Sequence, residues 1–350
     1  MKSPHAFTTV SKLASLVCCG VLALQGAAFA ATASVSSPGT VQVQDITSAT
    51  HPKGTYRTVD LSWNDTARSR EVPVRLYWPD GASSASKVPL VVFSHGLGGS
   101  RMGYSYLGRH WASLGYASLH VQHEGSDRAV WFGNVFTLFG RLQGAASEQN
   151  ALARVKDVSF AITQLLAERE FAPSIDSSSI AVAGHSYGAN TAMLIGGATV
   201  LREAGPLSLK DDRVTALILI SAPPFTGEGD MAEILKPISI PTLHVTGTED
   251  VIRVPGYGSD LRDRLAIFDA QREPRKMIAV FKGATHSIFT DRIDRAGLEL
   301  NEKVKRATKE LSGLFLNTVL RGQSIALIDE WGRGDAALLE RKTSATALKR

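Results

Sequence analysis

Residues 180–188 read Ile-Ala-Val-Ala-Gly-His-Ser-Tyr-Gly. A short apolar run enters a turn in which Ser186 stands between Gly184 and Gly188, and a helix is predicted to follow over Asn190–Leu201. This is G-x-S-x-G in a strand–turn–helix context. The spacing has a steric reason. A serine that must stand proud of a sheet sits in a strained turn, and the neighbouring chain passes close to it. Only residues without bulk then fit two positions before and two after. The plainer alternative is a glycine-rich turn whose serine caps a helix. The rest of the chain decides between them.

Continuous apolar runs recur on both sides of this stretch, at Val88–Ser94, Ala117–Val121, Val214–Ile220, Thr242–Thr246 and Met277–Phe281. Unbroken rather than alternating apolar runs suit strands covered on both faces. Helical stretches lie between them, at Tyr104–Leu114, Leu152–Glu168, Leu261–Ala270 and Asn301–Leu320. The alternation predicts an α/β fold, a mainly parallel central sheet with helices on both faces. Ahead of it, Tyr56–Trp63 and Glu71–Trp78 flank a polar turn and predict an N-terminal antiparallel hairpin at one edge. No Pro/Gly/Ser linker interrupts the chain, so 54–321 reads as one domain. Residues 322–350 read as a C-terminal extension with a last helix and a frayed, charged end from Glu340 onward.

A serine hydroxyl needs a base to become a nucleophile. In this chain order the base follows both serine and acid. Only His244 and His286 follow Ser186. His244 falls inside an apolar strand, where a side chain packs. His286 follows the last predicted parallel strand and can reach the carboxyl edge of the sheet, so it is the expected base. The acid should orient the imidazole and stabilise its charged form. Gly247-Thr-Glu-Asp250 leaves the strand Thr242–Thr246 and supplies Asp250, with the adjacent Glu249 as the alternative. The oxyanion needs two preorganised donors. The amide of Tyr187, next to the serine, is one. The loop His95-Gly-Leu-Gly-Gly-Ser100 supplies the other, assigned to Leu97. A phosphate loop is excluded there because no Gly-Lys-Ser/Thr closes it, and Arg101 reads as a surface residue.

The chain begins with Lys2 and Lys12, a mostly apolar stretch from Leu13 to Leu24, and Ala28-Phe-Ala30. This predicts a signal peptide over 1–30, cleaved after Ala30, then a flexible lead-in over 31–53, and hence a secreted or periplasmic location. The apolar stretch is too short for a stable membrane span. Cys18 and Cys19 are the only cysteines. Neither follows the small residue that lipid modification uses, and cleavage leaves a chain that folds without disulfides. With 350 residues one large core is possible, and a formal net charge of +5 with no Lys/Arg cluster argues against nucleic acid.

HGLGGS, GHSYG, GTED and the later His286 together resemble the α/β-hydrolase fold. The stretch from Val88 to Asp127, with ARVKDVSFAITQLL further on, resembles more closely the secreted branch related to dienelactone hydrolases and platelet-activating-factor acetylhydrolases. The resemblance covers about Pro73–Phe289. Two departures accompany it. Dienelactone hydrolases use a cysteine where Ser186 stands. Acetylhydrolases of this type carry their acid after the strand following the serine, and here that strand ends Ser221-Ala-Pro-Pro224 without one.

The end of the strand Ala117–Val121 and the segment after it carry His120, His123, Glu124 and Asp127, and then Trp131, Phe132, Phe136 and Phe139. The first group matches no metal-ligand spacing, so packing and turn hydrogen bonds are expected. Trp131, Phe132 and Phe136 are expected to bind substrate at the strand's carboxyl end. The reading is a secreted serine hydrolase acting on a small or lipid-like carboxylic ester. Ser186, His286 and Asp250 do the chemistry and Leu97 and Tyr187 form the oxyanion hole, with no cofactor, metal or nucleic acid. The same triad serves amides, thioesters, lipids and peroxyacids, and a binding protein on the same scaffold is the reading from another class.

Overall fold

A nine-stranded sheet organises the described residues. The computed structural model describes residues 54–202, 205–225, 229–254, 257–343 and Leu348. The predicted leader, its cleavage site and the lead-in lie outside the described residues. The chain enters as the expected hairpin. β1 (Tyr56–Asp65) and β2 (Arg70–Pro79) are antiparallel, with Asp65 opposite Arg70. β3 (Val88–Ser94), α1 (Ser105–Ser113) and β4 (Ala117–Val121) follow. Two 3-10 turns, Arg128–Trp131 and Val135–Thr137, lead into α2 (Leu138–Ala145) and α3 (Glu148–Leu165). Next come β5 (Ile175–His185) and α4 (Tyr187–Ile195), then a small ribbon of β6 (Thr199–Val200) and β7 (Leu207–Ser208).

The second half continues with β8 (Val214–Ile220), α5 (Met231–Leu235) and β9 (Thr242–Glu249). A ribbon of β10 (Ile252–Val254) and β11 (Tyr257–Ser259) precedes α6 (Leu261–Ala270) and β12 (Lys276–Thr285). The chain closes with α7 (Leu298–Arg321), α8 (Ala326–Gly334) and β13 (Leu339–Lys342). The sheet order is β1-β2-β4-β3-β5-β8-β9-β12-β13. Every pairing from β4 through β12 is parallel, and the hairpin and β13 add antiparallel strands at the two edges.

The unbroken apolar strands are sorted by the pleat. Leu90, Val92, Ile180 and Val182 face one core with α3, α4, α5 and α6. Val91, Phe93, Ala181 and Ala183 face the other with α1, α7 and α8. Alternate side chains of one strand thus enter opposite layers, which is why these runs need no polar positions. After β3 the chain moves to β4 on one side and returns to β5 on the other. The order reverses at β3 and β5, and a crevice opens beyond their carboxyl ends. Both motif turns, His95–Ser100 and Gly184–Gly188, lie there.

Two expectations need correction. α4 ends at Ile195 rather than Leu201. Gly196-Gly197 stops it, and Gly197 turns at φ 123° so close to Pro237 that a methyl group would stand 3.0 Å from its carbonyl oxygen. The tail also departs from a frayed end. Leu339–Lys342 pairs with β12, placing Leu339 opposite Phe281. Its charges mark an edge strand: Leu339 is buried, Glu340 and Arg341 are exposed, and Lys342 reaches Asp329 at 3.5 Å.

Candidate active site

Ser186 occupies the turn between β5 and α4 at φ 54° and ψ −121°, a conformation that costs a non-glycine residue about 1–3 kcal/mol. Its amide donates to the Ile220 carbonyl at 2.9 Å, which pins the turn to the end of β8. The flanking glycines are obligatory. A methyl group on Gly184 would stand 2.1 Å from the Gly188 carbonyl oxygen, and one on Gly188 would stand 1.9 Å from that of Ser94.

The turn aims the Ser186 Oγ at His286 Nε2, 2.9 Å away. His286 follows β12 directly, and its Nδ1 lies 2.7 Å from Asp250 Oδ1. A carboxylate only accepts, so Nδ1 carries the proton and donates to Asp250. Nε2 is then the acceptor for the serine hydroxyl. Asp250 follows β9 and is fully buried. Burial alone would raise its pKa. The Arg264 guanidinium, the His286 ring and the Thr246 hydroxyl, which donates to Oδ2 at 2.6 Å, outweigh that and hold it well below the usual carboxylate range. Arg264 comes from α6 and is itself buried. Glu249, one residue earlier, is exposed.

The loop after β3 reaches the same place. Its Gly98 amide donates to the Ser126 carbonyl at 2.9 Å, and its Gly99 amide donates to the Gly96 carbonyl at 3.0 Å. The Leu97 amide just before them has no hydrogen-bond partner among the described residues. The amide of Tyr187 opens α4 and so lacks an intrahelical acceptor. The side chains of Leu97 and Tyr187 share a small apolar cluster with Val130 and Trp131. An anion at this corner would meet free N–H groups and the positive end of a helix.

The other sequence candidates fall into place as follows. His244 is buried, with Nε2 at 2.9 Å from Gln271 Oε1, and burial lowers its pKa to about 4. His120 Nδ1 donates to the Gly103 carbonyl at 3.2 Å, and its ring stacks on Phe93. His123 bridges Ser94 Oγ and Asp157. Among the described residues, no group of three or more His, Cys, Asp or Glu side chains is arranged to hold a metal ion. Arg101, expected at the surface, turns its Nη1 to the carbonyl oxygens of Leu61 and Val74.

Of the three aromatic residues expected to bind substrate, only Trp131 meets the loop. Its Nε1 donates to the Gly98 carbonyl at 2.8 Å. Phe132 and Phe136 are 68% and 91% exposed. The reason is local: Phe132 follows the first 3-10 turn in extended backbone and Phe136 lies in the second, which Asn134 caps by accepting from the Phe136 amide.

One support had no signal in the sequence. Gly96 N–H donates to Tyr104 Oη at 3.3 Å, and Tyr104 lies 2.8 Å from His185 Nδ1. His185 Nε2 lies 2.9 Å from the His286 carbonyl. That carbonyl can only accept, so Nε2 carries the proton and Nδ1 accepts from the tyrosine. Burial lowers the His185 pKa to about 3 and keeps the ring neutral. The loop after β3 is thereby tied to the backbone of His286. Tyr104 is separated from its partners by eight and 81 residues, so no motif spacing could reveal it.

A mainly parallel sheet, an elbow serine after β5 and a histidine after β12 define the α/β-hydrolase fold. Within it the chain resembles the platelet-activating-factor acetylhydrolase-like branch. A family model described as platelet-activating factor acetylhydrolase, isoform II, matches residues 62–137. Platelet-activating factor acetylhydrolase from Cavia porcellus is 27% identical over 254 residues, covering 64% of this chain and 52% of that protein. The Bos taurus protein of the same name is 29% identical over 246 residues, covering 61% of this chain and 50% of its own. The chain thus spans about half the length of the curated relatives it matches.

Proposed function

We propose that the protein is a secreted serine hydrolase that cleaves carboxylic esters through an acyl-enzyme. The observation that carries this reading is the relay from Ser186 Oγ to His286 Nε2 at 2.9 Å and from His286 Nδ1 to Asp250 Oδ1 at 2.7 Å. Ser186 attacks the ester carbonyl while His286 takes its proton. Asp250 stays ionised and stabilises the imidazolium that forms. The amides of Leu97 and Tyr187 donate to the oxygen as it gains charge. His286 then gives its proton to the leaving alcohol, and water repeats the sequence to free the acid.

The relatives are named for acetyl hydrolysis of platelet-activating factor, and this favours a short acyl group on a lipid-like ester. The reading of 1–30 as a leader supports secretion, and 54–321, completed by α8 and β13 from the tail, is the catalytic domain. Turnover of acetyl, butyryl and octanoyl esters of one chromogenic alcohol, beside the matching anilides, tests the proposal. Acetyl ester turnover above the other substrates is expected, lost in Ser186→Ala. Anilide cleavage at equal rates would move the protein to another acyl chemistry.

A further inference from the structure

Arg154 of α3 is wholly buried, yet it touches both sides of the crevice. Its Nη2 donates to the His95 carbonyl and, at 3.0 Å, to Ser94 Oγ, both at the base of the loop after β3. Its Nη1 donates to Ser126 Oγ at 2.8 Å, and the Ser126 carbonyl holds the Gly98 amide. Its Nε donates to Thr191 Oγ1 at 3.0 Å in α4. The guanidinium carbon lies 4.5 Å from the centre of the Tyr187 ring. One planar group therefore contacts the loop that carries the Leu97 amide and the helix start that carries the Tyr187 amide.

The fork is itself held. Ser94 Oγ lies 2.9 Å from His123 Nε2, and His123 Nδ1 lies 3.0 Å from Asp157 Oδ2. Asp157 is buried and also accepts from Arg68 at 2.8 Å and from Nε and Nη2 of Arg70. Because Asp157 accepts only, His123 donates from Nδ1 and accepts the Ser94 hydroxyl proton at Nε2. That leaves the Ser94 oxygen to accept from Arg154. The donors run in one direction from guanidinium to carboxylate. An isolated buried cation is costly. A lysine could neither span these acceptors nor lie flat on the tyrosine ring.

We propose that Arg154 is a positioning residue that sets the Leu97 and Tyr187 amides at the spacing an oxyanion requires, with Asp157, His123 and Ser94 fixing its orientation. This rests on the reading of Ser186 and the two amides given above. Removing the fork would leave serine, base and acid in place and loosen only the oxyanion donors. The loss would then fall on kcat, since those contacts form in the transition state and not in the bound ester.

The test compares an ester with the thionoester of the same acid and alcohol, because sulfur is larger and a weaker hydrogen-bond acceptor than oxygen. In folded Arg154→Lys, kcat for the ester should fall roughly 10–100-fold with KM within about twofold, a share of what deleting one oxyanion donor costs. The ester-to-thionoester rate ratio should fall with it. Added guanidinium should restore part of both in Arg154→Ala. Where Arg154→Lys does not fold, Ser126→Ala removes one bond of the fork, keeps the charge, and is read in the same way. A folded variant with wild-type kcat and an unchanged ratio overturns the inference. Wild-type protein without ester turnover overturns the reading of the site, and this inference with it.

Discussion

His286 Nδ1 lies 2.7 Å from Asp250 Oδ1, and the carboxylate is fully buried from solvent. Adjacent residues leaving a strand point in different directions, and Glu249 is the exposed one of the pair. Asp250→Asn keeps the shape and removes the charge that stabilises the imidazolium. Turnover should drop about 10⁴-fold, the size the same change has in the serine-protease triad. Glu249→Gln should stay within about twofold of wild type, as an exposed carboxylate contributes little. Steady-state rates of both variants, each shown folded by circular dichroism, check the order. The opposite order would transfer the acid to Glu249.

Gly188 passes within van der Waals range of the end of β3, where an added methyl group would stand 1.9 Å from the Ser94 carbonyl. Backbone cannot step aside as a side chain can. Gly188→Ala should therefore destabilise the fold by about 3 kcal/mol or more, at the upper end of overpacking costs. The readout is the urea midpoint. An unchanged midpoint with full activity would mean that the turn is looser than described.

Acid sensitivity should begin well above the carboxylate range. His120, His123, His185 and His244 are buried and neutral, with burial as the largest cause, and their folded pKa values are lowered to about 3, 4, 3 and 4. The unfolded chain binds protons at these positions near pH 6.5, whereas the folded chain does not. The sign is therefore a loss of stability as pH falls from about 6.5 toward 4, at up to about 1.4 kcal/mol per pH unit for each histidine. Asp157 and Asp250, held below the usual range, extend the loss to lower pH. His244→Gln should flatten the slope of stability against pH by about one proton. Urea titrations from pH 7 to pH 4.5 measure it, and a stability independent of pH would contradict the burial of neutral rings.

Trp131 and Phe136 should behave differently on a soluble ester. Trp131 fixes the Gly98 carbonyl and packs with Leu97 and Tyr187, so Trp131→Ala should lower kcat/KM by about tenfold through misplacement of the loop. Phe136 is 91% exposed and touches none of the proposed machinery, so Phe136→Ser should leave kcat/KM unchanged. Equal losses in both would bring the exposed aromatic residues back into the substrate site.

Local pattern explains why so much of this fold could be read from the chain. β3, β4, β8 and α6 have the limits that their apolar or amphipathic runs predict, because strands covered on both faces need no polar interruption. The residues proposed as nucleophile, base and acid, Ser186, His286 and Asp250, each sit in a short turn beside such a run. β13 was hidden because an edge strand is stabilised by its neighbour's hydrogen bonds, and Leu339-Glu-Arg-Lys342 carries one apolar residue. Arg154 and Asp157 were hidden for a different reason. They lie among the apolar residues of an ordinary helix, and their partners are 28–60 and 34–89 residues away.

Labelling with a fluorophosphonate, followed by peptide mapping, tests the central claim most directly. The reagent forms a bond only with a serine whose hydroxyl is activated by a base and whose phosphonyl oxygen finds donors nearby. One adduct on the peptide containing Ser186 is predicted, with ester turnover lost in step with labelling. Ser186→Ala should show neither. Full labelling of another residue, or turnover that survives complete modification of Ser186, would contradict the account.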